Sequence, residues 1–177
     1  MQRTMPHGEQ PQGFADDSSP RLRHHTMTCQ PESLFSWNFD VRAEGLSGVV
    51  KLNWLNSGGA ISVNGSEFEV HCTSFLAGTW ELRHGSHQVW ATATRRGFLR
   101  PTFEIHDPSG ELTFRNKSVL RRECILERGT HPVAVMMQEK MLSRLVRIEV
   151  DDQRLTTPTV LFAFWLLLRQ WRQDSSG

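Results

Sequence analysis

Residues 157–171 read TPTVLFAFWLLLRQW, and the fold of the chain turns on what covers this stretch. From Val160 to Leu168 there is no polar side chain. As an α-helix those residues rise only ~14 Å, whereas a membrane crossing needs about 20 apolar residues. Arg169 and Gln170 then end the run. Thr157 reads as the N-cap and Pro158 as the first helical residue, where the missing N–H leaves nothing unsatisfied. Arg169 and Arg172 fall in the last turn, where positive charge suits the negative helix end. A helix apolar on every face is normally enclosed by protein. A shallow or tilted membrane anchor is the competing reading, and the shortness of the run argues for burial.

The enclosure must come from the preceding chain. From residue 34 onward the sequence runs in short stretches of period two, broken by turn residues about every ten positions, the pattern of a sandwich or barrel of strands. SLFSWNFDV (33–41) and SGVVKLNWL (47–55) come first. Asn56-Ser57-Gly58-Gly59 turns into AISV, and Asn64-Gly65 gives a hairpin into SEFEVHCTS. Between Gly78 and Asp151 the series is most regular. GTWELRH, HQVWATAT, PTFEIHD, ELTFRN, RECILER, PVAVMMQ and LVRIEVDD follow one another through turns at Gly85, Pro108-Ser109-Gly110 and Gly129-Thr130. The predicted inward residues are Phe103 and Ile105; Leu112 and Phe114; Val133, Val135 and Met137; and Val146, Ile148 and Val150. One apolar face per strand is what an antiparallel sheet with one packed face requires. The fold class is therefore mainly β: an antiparallel meander of about 10–12 strands, closed into a barrel around a C-terminal buried hydrophobic helix.

Length and composition agree. At 177 residues the chain is one domain with a core of its own. Charged residues make up 22% and apolar ones 38%, ordinary values for a globular protein. The net charge of +1 supplies no global field, so a polyanionic partner would need a local patch. Residues 1–33 carry Pro6, Pro11, Pro20 and Pro31 among Gly, Ser, Asp, Gln and His, and are expected to be a disordered tail without a signal-peptide core. Met27 is an alternative translation start within it. The barrel is placed at 34–172, its helix at 157–171, and a second tail at 173–177.

Several chemistries find no support. Cys29, Cys72 and Cys124 are odd in number and widely spaced, which fits free thiols in a reducing, cytoplasmic setting rather than disulfides or zinc. His84 and His87 flank a turn, and two ligands do not make a metal site. His71 and Cys72 are strand neighbours and point to opposite faces, against a nucleophile pair. There is neither a Gly-x-Ser-x-Gly elbow nor a phosphate-cradling glycine loop. The expectation is a protein without enzymatic activity, cofactor or metal. Trp37, Trp54, Trp80 and Trp90 fit strand faces and read as packing.

What remains is a repeated basic pattern. RRGFLR (95–100), KSVLRR (117–122) and EKMLSR (139–144) recur one strand pair apart, and in a meander such connections share one end of the sheet. They collect Arg95, Arg96, Arg100, Lys117, Arg121, Arg122, Lys140 and Arg144 beside Phe98, Leu99, Leu120, Met141 and Leu142. Arginines for phosphate oxygens and apolar tips for the interface are what a peripheral lipid-binding surface needs. Nucleic acid ranks lower as a ligand, because Phe98 is the only stacking aromatic in these segments. The competing reading is that these residues only form solvated loops and plug the barrel end.

The layout of residues 66–172, with GTWEL, RRGFLRPTFEI, KSVLRRECILERG and the closing TPTVLFAFWLLLRQWRQ, resembles the tubby C-terminal-like superfamily, which includes the LURP-one-related proteins and the phospholipid scramblases. The small prokaryotic members are the nearest in size. The resemblance implies a helix threaded through a barrel and contact with phospholipid. Asp151-Asp152 falls short of the acidic calcium loop of scramblases, which speaks against lipid transport. The expected function is a monomeric binding or scaffold module, cytoplasmic and membrane-peripheral, with anionic lipid as leading partner. A protein-interaction or regulatory module and a small-molecule carrier are the alternatives.

Overall fold

The computed structural model describes residues 25–33, 35–53, 57–85, 88–97, 101–118, 123–139 and 143–175. Alternation of apolar with polar residues, Met27 and Cys29 in the first strand and mostly Val, Ile, Leu and Phe after it, builds the first elements: β1 (His25–Pro31), β2 (Phe39–Ala43), β3 (Leu46–Leu52) and β4 (Gly59–Val63). They continue as β5 (Ser66–Ser74), β6 (Thr79–His84), β7 (Gln88–Arg96) and β8 (Thr102–Asp107). Then come β9 (Gly110–Ser118), β10 (Glu123–Arg128), β11 (His131–Gln138), β12 (Val146–Val150) and the helix α1 (Thr157–Asp174). Each strand pairs antiparallel with its neighbours in sequence, and β1 closes the barrel against β12, His25 opposite Val150 and Cys29 opposite Val146.

The helix lies inside. Thr157 to Leu168 are buried without interruption, and since successive residues step ~100° around a helix, every face is covered. The inward residues of the strands form one cluster with it. Phe39 meets Phe164 edge to face at 5.4 Å. Trp165 Nε1 donates to the Lys51 carbonyl at 3.2 Å, satisfying the one polar atom of the buried indole. The helix packs most closely on β3 and β4, where Gly48 and Gly59 stand at inward positions. A Cβ on Gly48 would meet Leu161 at 3.7 Å, and one on Gly59 would overlap Trp165 Nε1. Among the described residues no helix is long and apolar enough to cross a membrane.

A polar lock fixes the start of the helix. Thr159 Oγ1 donates to Asp107 Oδ2 at 2.7 Å, and the other oxygen of Asp107 accepts from the Ser109 amide and hydroxyl. Arg128 donates to the Ser109 carbonyl and hydroxyl and to Asp152 Oδ2. Burial alone would raise the Asp152 pKa, but bonds from the Arg154 amide and from the Arg154 and Arg128 guanidinium groups outweigh it and hold the group below its ordinary 3.8. A carboxylate with a depressed folded-state pKa adds stability above its unfolded value, and that stability is lost as pH falls through the folded value. Asp152→Asn should therefore lower the urea midpoint at pH 7. It should also flatten the part of the acid destabilisation that begins below about pH 4; an unchanged acid limb would remove Asp152 from it.

Four sequence expectations need correction. Residues 25–31 belong to the barrel and not to a tail: β1 inserts Met27 and Cys29, both fully buried, into the core. Two inward positions between Pro20 and Pro31 gave too little apolar signal against a polar background. The strand expected over 33–41 begins only at Phe39, because Glu32 N bonds the Asn38 carbonyl at 3.0 Å and closes a loop. In β11 Val133 is buried in the core as expected, but beyond it the inward residues are Ala134 and Met136, while Val135 and Met137 stay half exposed. A bulge at Leu126/Glu127 pairs Leu126 with Ala134 but Glu127 with Pro132, leaving Val133 as the extra residue and reversing the phase beyond it. The helix starts one residue after an N-cap at Thr156, not Thr157, and runs on to Asp174.

The cysteines are free. Burial drives the thiol of Cys29 far up, and burial with the Glu123 charge pushes Cys124 up to about 12, so neither is a ready thiolate.

Candidate functional site

Because the meander alternates, tight turns such as Glu44-Gly45, Asn64-Gly65, Pro108-Ser109 and Gly129-Thr130 collect at the end where α1 begins. The opposite end holds the last residues of β1, β3, β5, β7, β9 and β11, the segments that join them to the following strands, and the last turn of α1. Arg95 and Arg96 close β7, Lys117 lies next to the end of β9, and Arg144 precedes β12, so these four expected site residues share that end. Arg100, Arg121, Arg122 and Lys140 lie outside the described residues, as do Phe98, Leu99, Leu120, Met141 and Leu142.

The four described bases are not equivalent. Arg96 is bonded to Glu104 at 2.8 Å and Lys117 to Glu123 at 2.8 Å, so both charges are answered within the protein. Arg144 lies over the Trp37 ring at 5.1 Å and donates to the Ser33 carbonyl. Arg95 stands opposite Phe103, at the inward phase of β7. Beside it is an arginine that the sequence had given only a helix-end role. Arg169 stacks on the buried Trp80 ring at 4.7 Å and meets no carboxylate among the described residues. Burial lowers its pKa; the neighbouring Cys72 acts against that and Arg95 adds to it. Arg169 nevertheless stays protonated at any physiological pH.

Apolar side chains also project here. Leu76 is 99% exposed, Phe35 91% and Phe75 73%. Phe35 lies between β1 and β2, and Phe75 and Leu76 between β5 and β6, all at the arginine-bearing end. Sequence reasoning singled out none of the three: Phe35 fell within the strand expected over 33–41, and Phe75 and Leu76 lay between two strands. The signal was two large apolar residues where turn chemistry calls for none.

Two cavities open at the same end. One, of about 710 Å³, is bordered by Lys51, Asn53, Glu69, His71 and Cys72. Glu69 and His71, two apart on one face of β5, bond each other at 2.9 Å. The other, of about 350 Å³, lies between the last turn of α1 and the end of β9 and is walled by Trp37, Asn116, Arg144, Gln170, Trp171 and Asp174. Comparison with protein-family models, with curated proteins and with solved structures finds no match for this chain.

Proposed function

We propose that this protein is a non-enzymatic binding module that docks peripherally on anionic phospholipid, in the cytoplasm and as a monomer, with the arginine-bearing end as its contact surface. The observation that carries the reading is the coincidence of exposed Phe35, Phe75 and Leu76 with Arg95, Arg144 and Arg169 at one end of the barrel. Large apolar side chains held in water without a partner are a standing cost, and each stabilises by about 1.5–3 kcal/mol when buried. Basic residues near an anionic surface add about 1 kcal/mol each. Arg96 and Lys117, already paired, add less, so insertion of the apolar tips supplies most of the attraction. A closed barrel around an enclosed C-terminal helix supports membership of the tubby-like and LURP-one-related group.

Co-sedimentation with vesicles of phosphatidylserine and phosphatidylcholine, against phosphatidylcholine alone, tests the proposal. Binding should require the anionic lipid and weaken with salt. It should fall about tenfold or more in Phe75→Ser/Leu76→Ser, the equivalent of about 1.4 kcal/mol, and similarly in Arg95→Glu/Arg121→Glu. Binding that is absent, or indifferent to both double variants, overturns it. A protein partner captured through Phe75 and Leu76 in the absence of lipid would favour the interaction-module reading instead.

A further inference from the structure

The smaller cavity has a chemistry that the lipid reading does not use. Gln170, only 8% exposed, is one of the residues that line it. The buried side-chain N and O atoms left without a partner, among the described residues, are Trp80 Nε1 and Thr157 Oγ1, so the Gln170 amide is not sealed from water and can meet whatever occupies the cavity. Asn116 Oδ1 accepts from the Cys124 thiol at 2.8 Å, which turns its two N–H donors to other partners. Ser175 Oγ donates to the Trp171 carbonyl at 2.7 Å and keeps its lone pairs as acceptors. Asp174 adds an exposed carboxylate acceptor, while Arg144, engaged with the Ser33 carbonyl and the Trp37 ring, gives the same wall a charge of opposite sign. The indoles of Trp37, with Arg144 over its ring, and Trp171 add apolar surface to the wall.

This mixture discriminates between ligand classes. An oxyanion needs donors throughout, and here Asp174, Ser175 and the Gln170 carbonyl present acceptors instead, whereas an apolar ligand would leave the Gln170 and Asn116 amides unmatched. A hydroxyl both donates and accepts, and a ring bearing several of them can satisfy alternating donors and acceptors while laying its C–H face on an indole. The volume of about 350 Å³ falls at the small end of ligand sites, about 300–1,000 Å³. We propose that this cavity binds a neutral polyhydroxylated ring of monosaccharide size.

The inference does not depend on the lipid reading. Intrinsic tryptophan fluorescence and thermal shift of the full chain are followed with methyl glucoside, methyl galactoside, methyl mannoside and methyl N-acetylglucosaminide, with inorganic phosphate as the anion control. At least one glycoside should quench saturably and raise the melting temperature, with phosphate inert. Gln170→Leu, which keeps the bulk and removes the amide, should weaken it at least tenfold. Exposed Asp174→Asn, which leaves the core untouched, serves the same purpose if Gln170→Leu misfolds. Saturation by none of the four glycosides, a preference for phosphate, or affinity unchanged in the folded variants overturns the proposal.

Discussion

Phe164→Asp abolishes folding at neutral pH. Phe164 is fully buried and its ring meets Phe39 edge to face at 5.4 Å. Truncating a core phenylalanine costs about 3–5 kcal/mol through lost transfer energy and the cavity left behind. A carboxylate in its place adds the penalty of an unpaired buried charge, several kcal/mol more. Together these match or exceed the whole stability of a domain, about 5–15 kcal/mol. Far-UV circular dichroism should show loss of the strand signal, and urea titration should show no cooperative transition. Phe164→Leu, which nearly conserves volume, should lose only about 1–2 kcal/mol. Were α1 a membrane anchor appended to a self-sufficient sheet, the Asp variant would keep its cooperative transition. That outcome would remove the helix from the core.

The second large effect is expected at a residue with no side chain. Gly59 faces the helix where Trp165 Nε1 reaches the Lys51 carbonyl, and a Cβ added there would overlap both of those atoms. One of them is main chain, held by the pairing of β3 with β4, and cannot swing aside. Gly59→Ala should therefore cost about 1–3 kcal/mol in overpacking, and about 1–3 kcal/mol more if the buried indole N–H loses its acceptor. Gly45→Ala makes the comparison, since Gly45 has φ +68° and nothing within 4 Å of the added carbon; strain alone gives about 1–2 kcal/mol. Trp165→Phe removes the colliding nitrogen, so in the double variant the two losses should fall short of their sum. Strict additivity, or a loss no larger than that of Gly45→Ala, would mean that the helix does not rest on Gly59.

The barrel and its filling were legible because both depend on periodicity, which is local. VLFAFWLLL needs a cover, and strands with one apolar face can supply it. What escaped depended on longer-range pairing. Met27 and Cys29 are too few to announce a strand, and only their match to Ile148 and Val146 across the barrel explains them. Val135 and Met137 look inward by count, but the bulge opposite Glu127 is a property of two strands together. The shared end of Arg95, Arg96, Lys117 and Arg144 follows from alternation alone, so it could be read. Their partners could not, since Glu104 and Glu123 are chosen by cross-strand register. The smaller cavity was invisible for the same reason: Trp37, Asn116 and Gln170 meet only after the barrel has closed.

Closure of β1 on β12, with the helix inside, also bears on how the chain acquires its structure during synthesis. A ribosome makes the strands first and α1 after all of them, so Ile61, Leu82, Ile105 and Leu112 lose their water only once α1 has been released. The contact between His25 and Val150 spans nearly the whole domain, and such long loops close slowly. Until then the nascent sheet has an uncovered apolar face and two unpaired edges, the condition that favours association between chains. Folding of this barrel is thus deferred until α1 has been made. A chain stalled before Val160 would be a substrate for chaperones rather than a partly working domain.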